Sequence, residues 1–202
     1  MHLGSDRPRS TERSHFRFCP RCGHELSLLE VDDRTRAVCP RCGFVHYRNP
    51  VVGVAGVVTE RSVLRLLGEH TTRYGLVDPD YSPALDRERI LLARRAISFR
   101  GRWCIPCGYV EFDEEVREAL VREMAEETGL VVQVGRVLAV ESNFHLPDEQ
   151  SVGIWFEAIP TGGRLRPGDD VDALAFVDPA GPTPDLAFPT DRRLLERLAA
   201  YR

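Results

Sequence analysis

Residues 108–130 read GYVEFDEEVREALVREMAEETGL and combine a helical apolar pattern with a high density of carboxylates. At about 100° per residue, an apolar stripe is formed by Val116, Ala119 and Leu120. Glu123 and Glu127 fall within roughly 30° of the centre of that stripe. The pattern therefore predicts a helix over Glu114–Glu127 with two glutamates on its buried face.

Two ionised carboxylates on a buried face are energetically costly. Removing each from water costs several kcal/mol unless a cation or an arginine compensates the charge. Glu126 lies three residues after Glu123 and flanks the same face. Oxygen ligands favour Mg²⁺ or Mn²⁺ over Zn²⁺, and such a metal suits phosphate chemistry. The alternative is a solvated, salt-bridged face, the commoner meaning of an EExxRE string, but the position of the glutamates on the apolar stripe argues against it.

The segments around this helix predict a mixed α/β or α+β domain. Val51–Val58, VVGVAGVV, is apolar enough for a strand buried on both faces. Further predicted strands are Val63–Leu67, Ile90–Arg94, Val131–Val140, Val152–Ile159 and Val171–Val177, and a second helix is predicted over Asp191–Ala200. Loops or turns are predicted for 68–89, Pro160–Gly168 and Pro179–Pro189.

The first four of the six cysteines have the spacing of a zinc site. They form two CPRC knuckles, Cys19–Cys22 and Cys39–Cys42, separated by 16 residues and each followed by glycine. The alternatives are four unrelated thiols or two disulfides. Four thiolates complete a tetrahedron, so the neighbouring His24 and His46 are not expected to bind the metal. The predicted zinc is structural and replaces a hydrophobic core, and catalysis must lie elsewhere.

Composition restricts the classes of function open to the chain. The chain has 202 residues, of which 43% are hydrophobic and 29% charged. It is expected to consist of a disordered tail over residues 1–15, a ribbon over 16–49 and a domain over 50–202. A polar start and the lack of a long apolar run predict a cytoplasmic protein without membrane contact. A net charge of −4 argues against bulk nucleic-acid binding. All 27 basic residues are arginine, which excludes P-loop and Schiff-base lysines.

Some residues near the helix have more than one interpretation. Cys104 and Cys107 form a third CxxC motif, but a redox motif should open a helix, so we expect a packing or turn role. Phe144 or Trp155 can stack on a base, although core packing is the simpler prediction. One or two of six nearby arginines are expected to meet substrate phosphates: Arg87, Arg89, Arg94, Arg95, Arg100 and Arg102.

The segment from Gly108 to Leu130 resembles the Nudix box, G-x(5)-E-x(7)-R-E-U-x-E-E-x-G-U, where U is aliphatic. The matching residues are Gly108, Glu114, Arg122, Glu123, Met124, Glu126, Glu127, Gly129 and Leu130. The resemblance implies a Nudix hydrolase, an α/β/α sandwich with a mixed sheet. Such enzymes cleave a nucleoside diphosphate linked to another moiety by using water that is activated by Mg²⁺ or Mn²⁺.

The same resemblance implies a role for each matching residue. Glu123, Glu126 and Glu127 are implied as metal ligands, together with the Gly108 carbonyl. Arg122 and Glu114 are implied to be mainly architectural, and Arg122 orients the carboxylates. A further acidic ligand or base is implied by position at Asp170, in GDDVDALAFV.

A four-cysteine ribbon followed by a Nudix domain is similar to the NADH pyrophosphatase branch and to bacterial ADP-ribose-type hydrolases. The implied substrate is ADP-ribose, NAD(H) or a related nucleotide, and a homodimer is expected. Two alternatives remain. The protein removes nucleotide caps, including NAD caps, from RNA held by the ribbon, or it is a non-catalytic nucleotide sensor or nucleic-acid-binding regulator. The intact box favours catalysis.

Overall fold

The computed structural model describes residues 16–67, 88–144 and 149–200. The chain divides between Asn49 and Pro50 into two compact units. The predicted tail over residues 1–15 and nearly all of the predicted loop over 68–89 lie outside the described residues. Among the helices that are described, none is long and apolar enough to cross a membrane.

The first unit is a three-stranded antiparallel sheet with two cysteine knuckles. Its strands are β1 (Ser27–Val31), β2 (Arg34–Val38) and β3 (Val45–His46), in the order β1-β2-β3. Asp32 and Asp33 join β1 to β2, and both have positive φ, the backbone that a two-residue hairpin turn requires. Each knuckle closes on a glycine with positive φ, whose N–H bonds to the carbonyl of the first cysteine of that knuckle.

The four knuckle cysteines converge on one point. The sulfur atoms of Cys19 and Cys42 are 3.6 Å apart, and those of Cys22 and Cys39 are 3.5 Å apart. All four sulfurs lie within 4.8 Å of one another. Zn–S bonds of about 2.3 Å in a tetrahedron place sulfurs about 3.8 Å apart, so the cluster fits zinc. Neither His24 nor His46 belongs to the cluster. This unit is the predicted zinc ribbon.

The second unit contains two sheets and three helices. A four-stranded sheet has the order β7-β4-β9-β8, and a three-stranded sheet has the order β10-β5-β6. The strands are β4 (Val51–Val57), β5 (Ile90–Arg95), β6 (Trp103–Cys104), β7 (Cys107–Tyr109), β8 (Leu130–Asn143), β9 (Ser151–Gly163) and β10 (Val171–Val177). The helices are α1 (Glu60–Leu67), α2 (Val116–Thr128) and α3 (Pro189–Ala200). Because β4 pairs with β9 in parallel and the other pairs are antiparallel, the larger sheet is mixed.

Helices pack against both faces of the four-stranded sheet. One core cluster joins Val54 and Phe156 of the sheet to Leu120 and Met124 of α2. A second cluster joins Ala55 and Trp155, on the opposite face, to apolar residues of α3. Successive residues of a strand face opposite sides, so an apolar stretch such as β4 supplies both cores. The architecture is the predicted α/β/α sandwich.

Two local predictions were wrong. Val63–Leu67 lies in α1 and is not a strand. Thr59 begins that helix, since its side chain accepts a hydrogen bond from the Ser62 N–H, and this cap outweighs the β propensity of a short apolar run. Pro160–Gly168 was predicted as a turn, but β9 continues to Gly163. β9 is an inner strand of the sheet, between β4 and β8. Its pairing with β8 continues on both sides of the buried Pro160 and extends the strand past that residue.

Replacing Cys39 with serine is expected to remove zinc from the ribbon. A serine hydroxyl is a poor zinc ligand, and metal binding supplies most of the folding free energy of such a small unit. Elemental analysis should find about one zinc per wild-type chain and much less in Cys39→Ser. His24→Ala is the matched control, because it alters a knuckle neighbour outside the cluster. Equal zinc in all three proteins would contradict the assigned ligands.

Candidate active site

The carboxylates of α2 open into a cavity of about 490 Å³. This volume falls in the range typical of small-molecule sites. The charged residues that line it are Arg95, Glu123, Glu127, Glu149, Asp169, Asp170 and Asp191. Both sheets, α2 and the first turn of α3 contribute to its walls.

The ends of α2 are well defined, which fixes the direction of its side chains. Glu115 is the N-cap and accepts a hydrogen bond from the Arg117 N–H, and Gly129 ends the helix with a φ of 69°. The predicted helix therefore forms with slightly shifted ends. Glu123 and Glu127 are 8% and 1% exposed, so the apolar stripe correctly predicted that both glutamates are buried.

Glu127 is the most deeply buried carboxylate of the cavity. Its Oε2 accepts a hydrogen bond of 2.8 Å from the Cys107 N–H, and no arginine within the described ranges forms an ion pair with it. Burial raises the pKa of Glu127 to about 9, and the charge of Cys104 adds to this effect. The ionised form of Glu127 is therefore favoured only when more positive charge is placed near it than Arg95 supplies.

Glu123 lies directly against the backbone of Gly108. A Cβ at Gly108 would overlap the Glu123 carboxyl group, so only glycine fits here. One carboxylate oxygen accepts a 2.7 Å hydrogen bond from Arg122. Burial nevertheless raises the pKa of Glu123 above its usual value.

Arg122 connects the carboxylates of this region. Its guanidinium donates to Glu114 at 2.8 and 2.9 Å, to Glu126 at 3.0 Å and to the Tyr109 carbonyl at 3.0 Å, in addition to Glu123. The hydrogen bonds from Arg122 lower the pKa of Glu114 to about 2. Glu126 is different from the other two box glutamates, because its side chain is 47% exposed and does not line the cavity.

Asp170 reaches the cavity from the turn before β10. Its Oδ2 accepts a 2.7 Å hydrogen bond from Arg95, at the end of β5. Asp169, which was not singled out from the sequence, lines the same wall with a φ of 49°. The sequence signal that could have indicated Asp169 is its position directly before Asp170, a predicted site residue. Asp170 thus lines the same cavity as the buried Glu123 and Glu127. Unlike Glu127, its carboxylate forms an ion pair, with Arg95.

The CxxC motif before the box occupies a turn between two short strands. Cys104 ends β6 and is buried in a small core cluster, and Cys107 begins β7. No helix begins at this motif, which agrees with the predicted packing or turn role and not with a redox motif. The Cys107 backbone, through its N–H, is what contacts Glu127. Of the arginines singled out from the sequence and lying in the described ranges, only Arg95 lines the cavity.

One wall of the cavity is formed by the start of α3, and its carboxylate, Asp191, was not singled out from the sequence. Asp191 is 1% exposed and accepts hydrogen bonds of 3.0 Å from the Ile105 N–H and from the Trp155 indole N–H. Burial raises the pKa of Asp191 to about 7. Trp155 belongs to the core, as expected, and its ring is held in place by Asp191. On another wall, the Tyr109 hydroxyl donates to Glu149 at 2.7 Å.

The sequence and the fold are both similar to known proteins. The ADP-ribose pyrophosphatase of Methanocaldococcus jannaschii is 39% identical over 107 residues, which are 51% of this chain and 61% of that protein. The NAD-capped RNA hydrolase NudC of Pseudomonas aeruginosa is 26% identical over 157 residues, 77% of this chain and 45% of that protein. This chain therefore spans less than two thirds of the length of either relative. A NUDIX hydrolase structure from Nitrosomonas europaea aligns with a TM-score of 0.67 and 26% identity, covering 93% of this chain and 92% of that one.

Family models match both units of the chain. Residues 17–48 match the Nudix N-terminal zinc ribbon, in agreement with the cysteine cluster. Residues 82–198, more than half of the 202 residues, match the NUDIX domain. The mixed-sheet sandwich and the box helix agree with that match. The chain belongs to the NUDIX domain family and carries a Nudix N-terminal zinc ribbon.

Proposed function

We propose that this protein is a metal-dependent pyrophosphohydrolase. It cleaves a nucleoside diphosphate linked to another moiety, such as ADP-ribose, NAD(H) or a related nucleotide. The observation that carries this proposal is the pair of buried carboxylates, Glu123 and Glu127, in a cavity of substrate size. No arginine in the described parts of the chain forms an ion pair with Glu127, and a buried carboxylate is unfavourable in its ionised form unless a positive charge compensates it.

The residues around Glu127 fit a divalent cation. The donors are carboxylate oxygens and the backbone of Gly108, and hard oxygen donors select Mg²⁺ or Mn²⁺. We assign Glu123, Glu127 and the Gly108 carbonyl as ligands inside the cavity, and Glu126 as a ligand at its edge. A divalent cation held there neutralises phosphate charge and acidifies water.

Each remaining residue of the site has a distinct part in hydrolysis. Arg122 holds Glu123 and Glu126 in one orientation and keeps their charges from repelling each other. Glu114 fixes the guanidinium of Arg122 in turn, through two hydrogen bonds. Arg95 places positive charge inside the cavity, where it suits a substrate phosphate. Asp170 is bonded to Arg95, so we assign it to orienting that arginine as well as to the acidic wall.

Removal of NAD caps from RNA is a second candidate function. Its support is that the match to the NAD-capped RNA hydrolase of Pseudomonas aeruginosa covers 77% of this chain. The zinc ribbon also exposes aromatic rings beside arginines, with Arg36 4.6 Å from the centre of the Tyr47 ring. Such pairs suit the stacking of single-stranded bases. RNA contact through the ribbon and the expected homodimer stay predictions.

A panel of substrates tests the proposed function. The zinc-loaded protein with added Mg²⁺ is expected to hydrolyse at least one of ADP-ribose, NAD⁺, NADH, FAD or a nucleotide sugar. Mass spectrometry identifies the two monophosphate products, and NAD-capped RNA is the additional arm. Binding of these nucleotides without any turnover, with Mg²⁺ or Mn²⁺, would favour the alternative of a nucleotide sensor.

Replacing Glu127 with glutamine is expected to lower kcat by roughly 10²- to 10³-fold. Glutamine keeps the side-chain volume but loses the charge that holds the cation. That cation acts mainly in the transition state, so nucleotide affinity should fall much less than turnover. Steady-state kinetics at saturating Mg²⁺, with circular dichroism as the check on folding, measure both effects.

Glu118→Gln is the matched control for that variant. Glu118 is on the same helix and is exposed. Its neutralisation should leave kcat nearly unchanged. If both variants had equal activity at saturating Mg²⁺, the buried carboxylates would have no catalytic role.

Gly108→Ala is expected to lower kcat by at least about 10²-fold. The new Cβ would overlap the Glu123 carboxyl group, so the carboxylate must leave its position. Gly162→Ala is the control, because among the described residues its Cβ would meet Val131 alone, at an ordinary contact distance of 3.7 Å. Kinetics of both variants at several Mg²⁺ concentrations give the comparison. Wild-type turnover in Gly108→Ala would contradict the assigned position of Glu123 in the site.

A further inference from the structure

The turn that joins β6 to β7, residues 104–107, passes from the three-stranded sheet to the four-stranded sheet. Its backbone is bonded to more than one element. The Pro106 carbonyl accepts a hydrogen bond of 2.9 Å from the Gly56 N–H of β4. The Cys107 N–H donates to Glu127 of α2 at 2.8 Å. The position of this turn therefore decides where a backbone donor meets the most deeply buried carboxylate of the cavity.

Asp191 at the start of α3 holds the first half of the same turn. The segment that leads into α3 pairs with β6 in parallel, since the Trp103 N–H donates to the Asp185 carbonyl and the Ala187 N–H donates to the Trp103 carbonyl. In a parallel ladder the next bond would run from the Ile105 N–H to the Ala187 carbonyl. That N–H donates instead to Asp191 Oδ2, at 3.0 Å. The carboxylate thus continues the ladder into a turn that the strand itself does not reach.

Asp191 is the acceptor for two buried donors at once. Its second oxygen, Oδ1, accepts from the Trp155 indole N–H at 3.0 Å, and the residue is 1% exposed. Ile105 is fully buried as well. Aspartate is the shortest side chain with two acceptor oxygens, whereas asparagine has one oxygen and an NH₂ group that only donates. The two converging N–H groups therefore require a carboxylate here, since a buried N–H without an acceptor is unfavourable.

The 104–107 turn leads directly into the proposed cation site. The Cys107 N–H fixes one oxygen of Glu127. The next residue is Gly108, whose carbonyl is assigned as a ligand. Both Cys107 and Gly108 lie within three positions of Ile105, so a shift of Ile105 moves them too. A displacement of about 1 Å in a preorganised site is enough to lower its activity by roughly 10²-fold.

We infer that Asp191 is a positioning residue for the cation site. Its carboxylate holds the 104–107 turn where the Cys107 N–H meets Glu127 and the Gly108 carbonyl meets the cation. The inference rests on the proposed function, from which it takes the cation ligands. In this role Asp191 touches neither the cation nor the substrate. Its effect passes through the Ile105 N–H and the backbone of the turn, in the way that hydrogen-bond partners behind metal ligands act.

The test is the affinity for Mn²⁺, which shares the preference of Mg²⁺ for oxygen ligands and is followed by electron paramagnetic resonance. It is measured on the full zinc-loaded protein without nucleotide, with circular dichroism as the check on folding. Asp191→Asn is expected to weaken Mn²⁺ binding at least about tenfold, the usual effect of losing a partner behind a metal ligand. Asp185→Asn is the matched control, since that side chain is 73% exposed and its carbonyl makes the bond to β6. It should bind Mn²⁺ like the wild type.

A second background separates position from charge. Trp155→Phe removes one of the two donors that converge on Asp191, so the carboxamide oxygen introduced by Asp191→Asn is free to accept from Ile105. In this background Asp191→Asn is expected to weaken Mn²⁺ binding less than about threefold. Asp191→Ala leaves the Ile105 N–H unpaired and is expected to weaken it at least about tenfold. Equal losses from the two substitutions would show that Asp191 acts through its charge alone and would overturn the inference.

Amide hydrogen exchange gives a readout that needs no metal. The Cys107 N–H should exchange at least about tenfold faster in Asp191→Asn than in the wild type, because the turn that presents it to Glu127 is released. Unchanged exchange at Cys107, or unchanged Mn²⁺ affinity in folded Asp191→Asn, would overturn the inference. If Asp191→Asn alone does not fold, the comparison in the Trp155→Phe background decides. Because no measurement needs turnover, the expected Mn²⁺ results without hydrolysis of any nucleotide would reject the proposed function and leave the role of Asp191 standing.

Discussion

The hydrogen bonds of Arg122 are the interaction on which the candidate site depends. One guanidinium binds Glu114, Glu123 and Glu126 and also the Tyr109 carbonyl. Without it, several carboxylates at the edge of one cavity would repel one another, and their desolvation would not be compensated. Arg122 also joins α2 to the loop before it and to β7. The same five-donor fork thus positions charge and connects three parts of the fold, which a lysine cannot do.

Close packing of α2 on the sheet is the second constraint. A Cβ at Gly56 would lie 2.5 Å from the Met124 sulfur, so glycine allows the helix to approach the centre of the sheet. That approach brings Glu123 against Gly108 and Glu127 against the Cys107 N–H. The buried carboxylates are therefore a consequence of helix–sheet packing as much as of the helix itself. Burial raises the pKa of both carboxyl groups, because it disfavours their ionised forms.

The zinc ribbon is stabilised in another way. Its strands are short, and Leu28, Leu29, Phe16 and Phe18 are exposed. Two of its four cysteines are the buried residues that hold it together, along with Ala37. A metal cluster replaces the hydrophobic core that so small a unit cannot build. Consequently, the ribbon can present apolar and arginine side chains to the outside without losing its fold.

The sequence by itself determined the features that depend on local periodicity and spacing. These are the α2 helix, the burial of Glu123 and Glu127 and the four-cysteine cluster. They follow because helix geometry and knuckle spacing are set within a few residues of chain. Even at this scale, the strand predicted over Val63–Leu67 was wrong, since a short apolar run does not distinguish strand from helix.

Only the tertiary structure decided which distant segments meet at the cavity. Asp191 is 86 residues from Ile105, the residue whose N–H it binds, and Asp170 is 75 residues from Arg95. The facing pair Gly53 and Gly153 exists because β4 and β9 are parallel neighbours in one register. A sequence pattern contains the period of each strand but not its neighbours. Strand order and register are set by how all the apolar faces are buried together, and this is why the pairing of these distant segments around the cavity, unlike the box helix, was not predicted.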